Sequence, residues 1–195
     1  MDSLISKSPV AESNKGDNSL YHDPNISIYE VQKLGLIRLQ TFSRNSQSSE
    51  TITALTELNL PQVKQFSSSD TINIYWSAPF EWIISVPAAT ELVEAEKITA
   101  KLAGTMNAVT LMTDSRIILK LNGLKSRQLL AKGSAIDFHS SQFNAGTCVT
   151  TKFAQIPIMI AQVSSHNDND EFLLFADRPS AAYLLDWLID AASEF

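Results

Sequence analysis

The sequence is poor in the residues that most cofactor and metal sites are built from. A single cysteine, Cys148, stands among 195 residues. With no second thiol there is no internal disulfide to form, and a reducing compartment is the default. His22, His139 and His166 are far apart, no two of them at ligand spacing, which argues against zinc. No Gly-x-Gly-x-x-Gly follows a strand-like run and no Gly-Lys-Ser/Thr occurs, so a dinucleotide or nucleoside triphosphate finds no phosphate cradle. Asp168-Asn169-Asp170 begins like a calcium loop, but Phe172 and Leu173 stand where glycine and further oxygen ligands are needed. A hairpin turn explains that run better. Apolar runs of membrane-spanning length are missing, and Met1 to Ser8 lacks the apolar stretch of a signal peptide. Cationic excess is missing too: 15 basic against 21 acidic residues leave a net charge of −6, with the basic residues scattered. Nucleic acid and anionic membranes are thereby disfavoured as partners, and a soluble, cytoplasmic protein is expected.

What is present is core. A hydrophobic fraction of 44% suits one domain able to bury about 70% of its extended-chain surface. Residues 1–25 are rich in Ser, Asn, Asp and Lys and are expected to form a polar tail, either mobile alone or ordered by a partner. Residues 26–195 are expected to form a single domain. Within it, alternation marks strands at 34–42, 72–76 and 81–86, the last two forming a hairpin around Ala78-Pro79-Phe80. A helix is expected from Ser49 to Pro61, and a longer one over 89–103 with Leu92, Ala95, Ile98 and Leu102 inward. A second hairpin is expected to join 109–113 to 116–122 through Asp114-Ser115. A short basic helix over 124–132 should be anchored by Leu129 and Leu130 and stopped by Gly133. Strands at 147–154, 156–163 and 172–176 precede a final helix opened by Pro179. Hairpins alternating with single helices give an α+β fold, mostly antiparallel, with helices packed on one face of the sheet.

Few residues invite chemistry. Asp137 and His139, two apart in an extended segment, point the same way, as an acid/base pair would need. The plainer reading is a turn-capping aspartate and an exposed histidine. Cys148 lacks a nucleophile's setting and reads as a buried thiol. Lys120, Lys125, Arg127 and Lys132 could hold the carboxylates of an acidic ligand or partner, or simply line a solvated flank. Trp76, Trp82 and Trp187 occupy core-like positions, although tryptophan also serves as an interface anchor.

Four ordered stretches carry a family likeness. Tyr75-Trp76-Ser77-Ala78-Pro79-Phe80-Glu81-Trp82 resembles the Trp-x-Gly-Pro-x-Glu-Trp hairpin of the gamma subunit of heterotetrameric sarcosine oxidase. Gly123 to Gly133 with Ala135-Ile136-Asp137-Phe138-His139 is similar to that family's Leu-Leu-Ala-Lys-Gly-Cys segment and the Leu-Asp-Leu-His after it. Phe143 to Cys148 resembles its Phe-x-x-Gly-x-Cys turn, and Phe172 to Phe195 its last strand and helix. The likeness covers roughly residues 30 to 195. It implies a fold like the folate-binding domain of glycine-cleavage aminomethyltransferases, in an assembly with alpha, beta and delta subunits. There the complex would convert sarcosine, oxygen and tetrahydrofolate to glycine, hydrogen peroxide and methylene-tetrahydrofolate. NAD, FAD, FMN and zinc would belong to the partner subunits, leaving this chain with no catalytic, cofactor or metal residues. Two departures bear on that role. Leu111 stands twelve residues before Gly123, where the aminomethyltransferases carry a functional aspartate, and Ser134 replaces the family's cysteine. The alternative is a stand-alone folate-binding or one-carbon-transfer protein, in which Lys125, Arg127 or Lys132 would grip the glutamyl tail and Asp137 the pterin.

Overall fold

Alternating apolar residues organise the chain into two antiparallel sheets. This is seen in a computed structural model that describes residues 8–11, 19–42, 46–166 and 169–195. In chain order the elements begin with β1 (Ser19–His22), β2 (Ser27–Glu30), β3 (Leu34–Thr41) and α1 (Ser46–Thr56). Then come β4 (Phe66–Ser68), β5 (Asn73–Ala78), β6 (Glu81–Pro87), α2 (Glu91–Lys101) and β7 (Asn107–Leu111). The second half holds β8 (Arg116–Gly123), α3 (Ser126–Gly133), β9 (Cys148–Phe153), β10 (Ile156–His166), β11 (Asn169–Asp177) and α4 (Ala181–Ala192). One sheet has six strands in the order β1-β2-β8-β11-β10-β9; the other has five, β4-β5-β6-β3-β7.

Each strand sends alternate residues to opposite faces, and this splits the core into layers. On β8, Ile117, Leu119 and Leu121 pack with Leu129 and Leu130 of α3 and with Leu184 and Leu188 of α4. On β3, Ile37 and Leu39 pack under Ile52 of α1 and Ile98 of α2. The intervening residues meet between the sheets, with Leu36, Tyr75 and Ile83 against Ile118, Cys148, Met159 and Phe175. The result is helix, sheet, sheet, helix, an α+β fold in which each sheet carries its helices on one face. Phe153 and Phe172 are wholly buried, each adding about 1.5–3 kcal/mol from burial alone. Gly133 makes room for one of them: a Cβ there would sit 2.5 Å from the Phe153 ring, whose other neighbour is Trp187, 4.9 Å away between ring centres.

Three expectations need correction. The strands read as a hairpin over 109–122 belong to different sheets. β7 pairs with β3, from Ile37↔Leu111 to Thr41↔Asn107, whereas β8 pairs with β2 and β11. Thr113–Ser115 is a 3-10 turn that carries the chain across. It is pinned to β3 by Met112 N–H on Leu36 O at 2.7 Å and by Leu36 N–H on Thr113 Oγ1 at 2.9 Å. Alternation fixes which side chains share a face but does not name the partner strand, and a short polar turn suits either geometry. Leu92, expected inward, is 55% exposed. Glu91 instead leans on the sheet, its Cβ 2.7 Å from where a Cβ on Gly35 would lie. The third concerns the N-terminal segment expected to be tail. Residues 1–7 and 12–18 lie outside the described residues, but Ser19–His22 forms β1, and Val10 and Leu20 are core residues. A few apolar side chains in a polar stretch suffice to dock its described parts.

Candidate functional site

The basic helix and its loop converge on one arginine. β8 ends at Gly123, whose φ of +131° and close approach to the Asn25 carbonyl leave no room for a Cβ. α3 then starts with Ser126 Oγ donating to the carbonyls of Gly123 and, at 3.3 Å, Asp170. One residue on, Arg127 reaches into the molecule. Its Nε and Nη2 form a bidentate pair with Asp170, the Nη2 bond measuring 2.9 Å. Its Nη1 donates to the carbonyls of Phe138 and, at 2.7 Å, Phe143. The Phe172 ring lies 5.5 Å from the guanidinium. Asp170 Oδ1 also accepts from Nε2 of the fully buried Gln162, at 2.9 Å. Arg127 therefore spends four of its five donors tying α3 to β11 and to the loop after α3.

The other residues singled out from sequence do not gather round a common point. Lys132 turns to the C-terminal helix, donating to Ala191 O and Glu194 Oε2 at 3.0 Å each, 4.0 Å from the Phe195 ring centre. Lys125 caps the start of α3 with its backbone. Asp137 is exposed and accepts the His139 N–H at 2.9 Å, while the His139 ring bonds Ser141 Oγ at 2.8 Å. Lys120 pairs with Glu171 at 3.4 Å. Cys148 is fully buried where the sheets meet, its thiol donating to Gln65 O at 3.1 Å and Trp76 O at 3.3 Å. Burial pushes that thiol up to about 12, so it carries almost no thiolate at neutral pH. Among the described residues, no three His, Cys, Asp or Glu side chains gather in a way that could hold a metal. A polar cleft of about 260 Å³ lies where Ser8 and Pro9 meet Lys33, Thr113 and Arg116, and another of about 320 Å³ is lined by Glu91, Thr113, Asp114 and Ser115.

Two residues of consequence escaped the sequence reading. From sequence Asp170 belongs to a turn, yet it shares the inward face of β11 with Phe172, Leu174 and Ala176. The two-residue period of that strand, carried back one step, would have found it. Arg38, on the polar side of the 34–42 alternation, lies on the face of β3 that looks toward the other sheet.

Comparison with known proteins places this arrangement. Residues 46–194 match the sarcosine oxidase, gamma subunit family. The chain belongs to that family. Its fold is shared by a chain of heterotetrameric sarcosine oxidase from Corynebacterium sp. U-96, at TM-score 0.85 and 20% identity, covering 97% of this chain and 96% of that one. Aminomethyltransferase T of the glycine cleavage system from Bartonella henselae is similar at TM-score 0.66 and 12% identity, over 93% of this chain and 56% of that one. The search of curated proteins finds no match. Arg127 clamps the loop of residues 134–147, and Leu111 is an exposed residue at the end of β7. No helix among the described residues is long and apolar enough to cross a membrane.

Proposed function

We propose that this chain is a non-catalytic, structural gamma subunit of a cytoplasmic heterotetrameric sarcosine oxidase. The observation that carries the proposal is the commitment of Arg127. The most ligand-like cation of the basic helix is spent on Asp170 and two backbone carbonyls of its own chain. Lys132 is engaged by Glu194 and Ala191, and Asp137 by the backbone of its own turn. Leu111 offers no proton-accepting group. In this reading alpha, beta and delta subunits carry NAD, FAD, FMN and zinc, and together oxidise sarcosine with transfer of the one-carbon unit to tetrahydrofolate.

Co-expression with those three subunits is the test. A stable complex containing this chain, with sarcosine-dependent peroxide formation, is expected; elution of the chain as a separate monomer would refute the proposal. Calorimetry of the isolated chain with millimolar tetrahydrofolate covers the folate-binding alternative. Binding heat that disappears in Asp137→Ala would favour that alternative.

A further inference from the structure

One sheet face is only half used. Along β3 the residues that look toward the other sheet are Leu36, Arg38, Gln40 and, one step past the strand, Phe42. Leu36 is 2% exposed in the layer between the sheets, Arg38 and Gln40 are partly exposed, and Phe42 is 60% exposed. β7 repeats the gradient in reverse register: Met112 packs into the shared layer, Thr110 sits opposite Arg38, Ala108 opposite Gln40, and Met106 is 75% exposed. The six-stranded sheet thus covers one end of this face and leaves the other open.

The open end is not built for water alone. Thr41 N–H donates to Phe80 O at 2.9 Å and Phe42 N–H to Met106 O at 3.3 Å, so three exposed large apolar residues stand side by side. Phe80 is held there at a φ of +61°, a conformation that glycine or asparagine takes more cheaply than phenylalanine. The turn between β5 and β6 sets that φ after Pro79, and it leaves the Phe80 ring 38% exposed at the rim. Behind the rim, Arg38 Nε is buried without a hydrogen-bond partner among the described residues. The adjacent carboxylate does not serve it: Glu81 accepts from Gln40 Nε2 at 2.8 Å and from Ser77 Oγ at 3.0 Å. Arg38 and the apolar rim share one sheet face, about 13 Å apart along β3, and arginine with aromatic and methionine residues is the composition of an interface centre.

We propose that the uncovered half of this sheet face is where a neighbouring subunit docks, setting a carboxylate on Arg38 and apolar side chains against Phe42, Phe80 and Met106. The inference rests on the structural-subunit reading and names the surface that reading requires. A carboxylate is the group that matches a partly desolvated arginine whose Nε has no partner among the described residues, and the apolar rim would limit water at the pair.

The experiment is reconstitution of the four-subunit complex with wild-type chain, Arg38→Met and Phe42→Ser, with affinity read by titration and burial by amide hydrogen exchange. Arg38→Met should bind about thirtyfold or more weakly, and Phe42→Ser about tenfold. Amides of 38–42, 80–82 and 106–110 should be protected in the wild-type complex. Normal assembly of the wild type together with equal affinity of Arg38→Met, or with no protection of those amides, overturns the docking surface and leaves the structural-subunit reading standing. Failure of the wild type to assemble overturns both. A thermal shift of the free wild type by millimolar acetate, absent in Arg38→Met and with assembly unchanged, would give the site to a small carboxylate and also overturn the inference.

Discussion

Arg127 and Arg38 are both drawn into the body of the protein, and they have opposite fates. Arg127, with 18% of its side chain exposed, meets a carboxylate, two carbonyls and an aromatic ring of its own chain. Among the described residues Arg38 meets none of these, and its Nε is buried without a partner. A cation saturated from within holds a fold together; one left wanting on an open face is addressed to something outside. The difference follows from position. β11 and α3 bring Asp170 and the loop carbonyls around Arg127, whereas Arg38 sits on β3 beyond the reach of the six-stranded sheet, and Glu81 on the next strand bonds Gln40 and Ser77 instead.

The strongest way to break this contrast is to empty the closed site. Arg127→Met leaves Asp170, only 8% exposed, as a buried carboxylate with Gln162 as its remaining side-chain partner. The expected loss is about 3–5 kcal/mol of unfolding free energy, read from urea denaturation. Adding Asp170→Leu should restore a large part of it, because the cost lies in stranding a charge rather than in losing the pair. A single variant as stable as the wild type would mean that Arg127 is ornamental and that the comparison with Arg38 is empty.

The sequence already contained most of the fold and part of this contrast. Alternation in Ile117, Leu119 and Leu121 marked a buried face, the spacing of Leu129 and Leu130 marked the anchors of α3, and Pro179 marked the start of the last helical turn. The partner of each strand was not written there. β7 and β8 read as a hairpin because a strand's alternation is the same whichever neighbour it pairs with. The fate of the basic residues was illegible for a similar reason. Lys125, Arg127 and Lys132 look alike along the helix, and only the arrival of Asp170 from 43 residues away separates the one that turns inward. Asp170 in turn was masked by its acidic, turn-like neighbours.

The covered and open halves of the inner sheet face can be compared by titration. Cys148 and Tyr75 lie in the covered half, 0% and 1% exposed. Burial raises the thiol from its ordinary 9.0 to about 12 and raises the Tyr75 phenol as well. Once the pH exceeds 9 the unfolded chain sheds the thiol proton while the folded chain keeps it. The contribution to stability is therefore complete below that value and is lost as pH rises toward 12. A single such group gives a fall of about 1.4 kcal/mol per pH unit at most, with Tyr75 adding to it at higher pH. Cys148→Ala should show a shallower alkaline decline in the same urea titrations. Rapid reaction of the native thiol with a disulfide reagent at about pH 8 would mean that water enters the covered half too.

The smallest expected effect is the most discriminating one. In the free chain Arg38→Met removes a guanidinium that is partly desolvated and gains no partner among the described residues in return. The methionine keeps the apolar stem between Ile83 and Thr110, its neighbours on β6 and β7. Stability should stay within about 1 kcal/mol of the wild type and move upward rather than downward, the opposite sign to Arg127→Met. Thermal melts of the isolated chain measure it directly. A loss comparable to that of Arg127→Met would show that Arg38 already serves its own fold, and the distinction between an arginine that closes the molecule and one that awaits a partner would collapse.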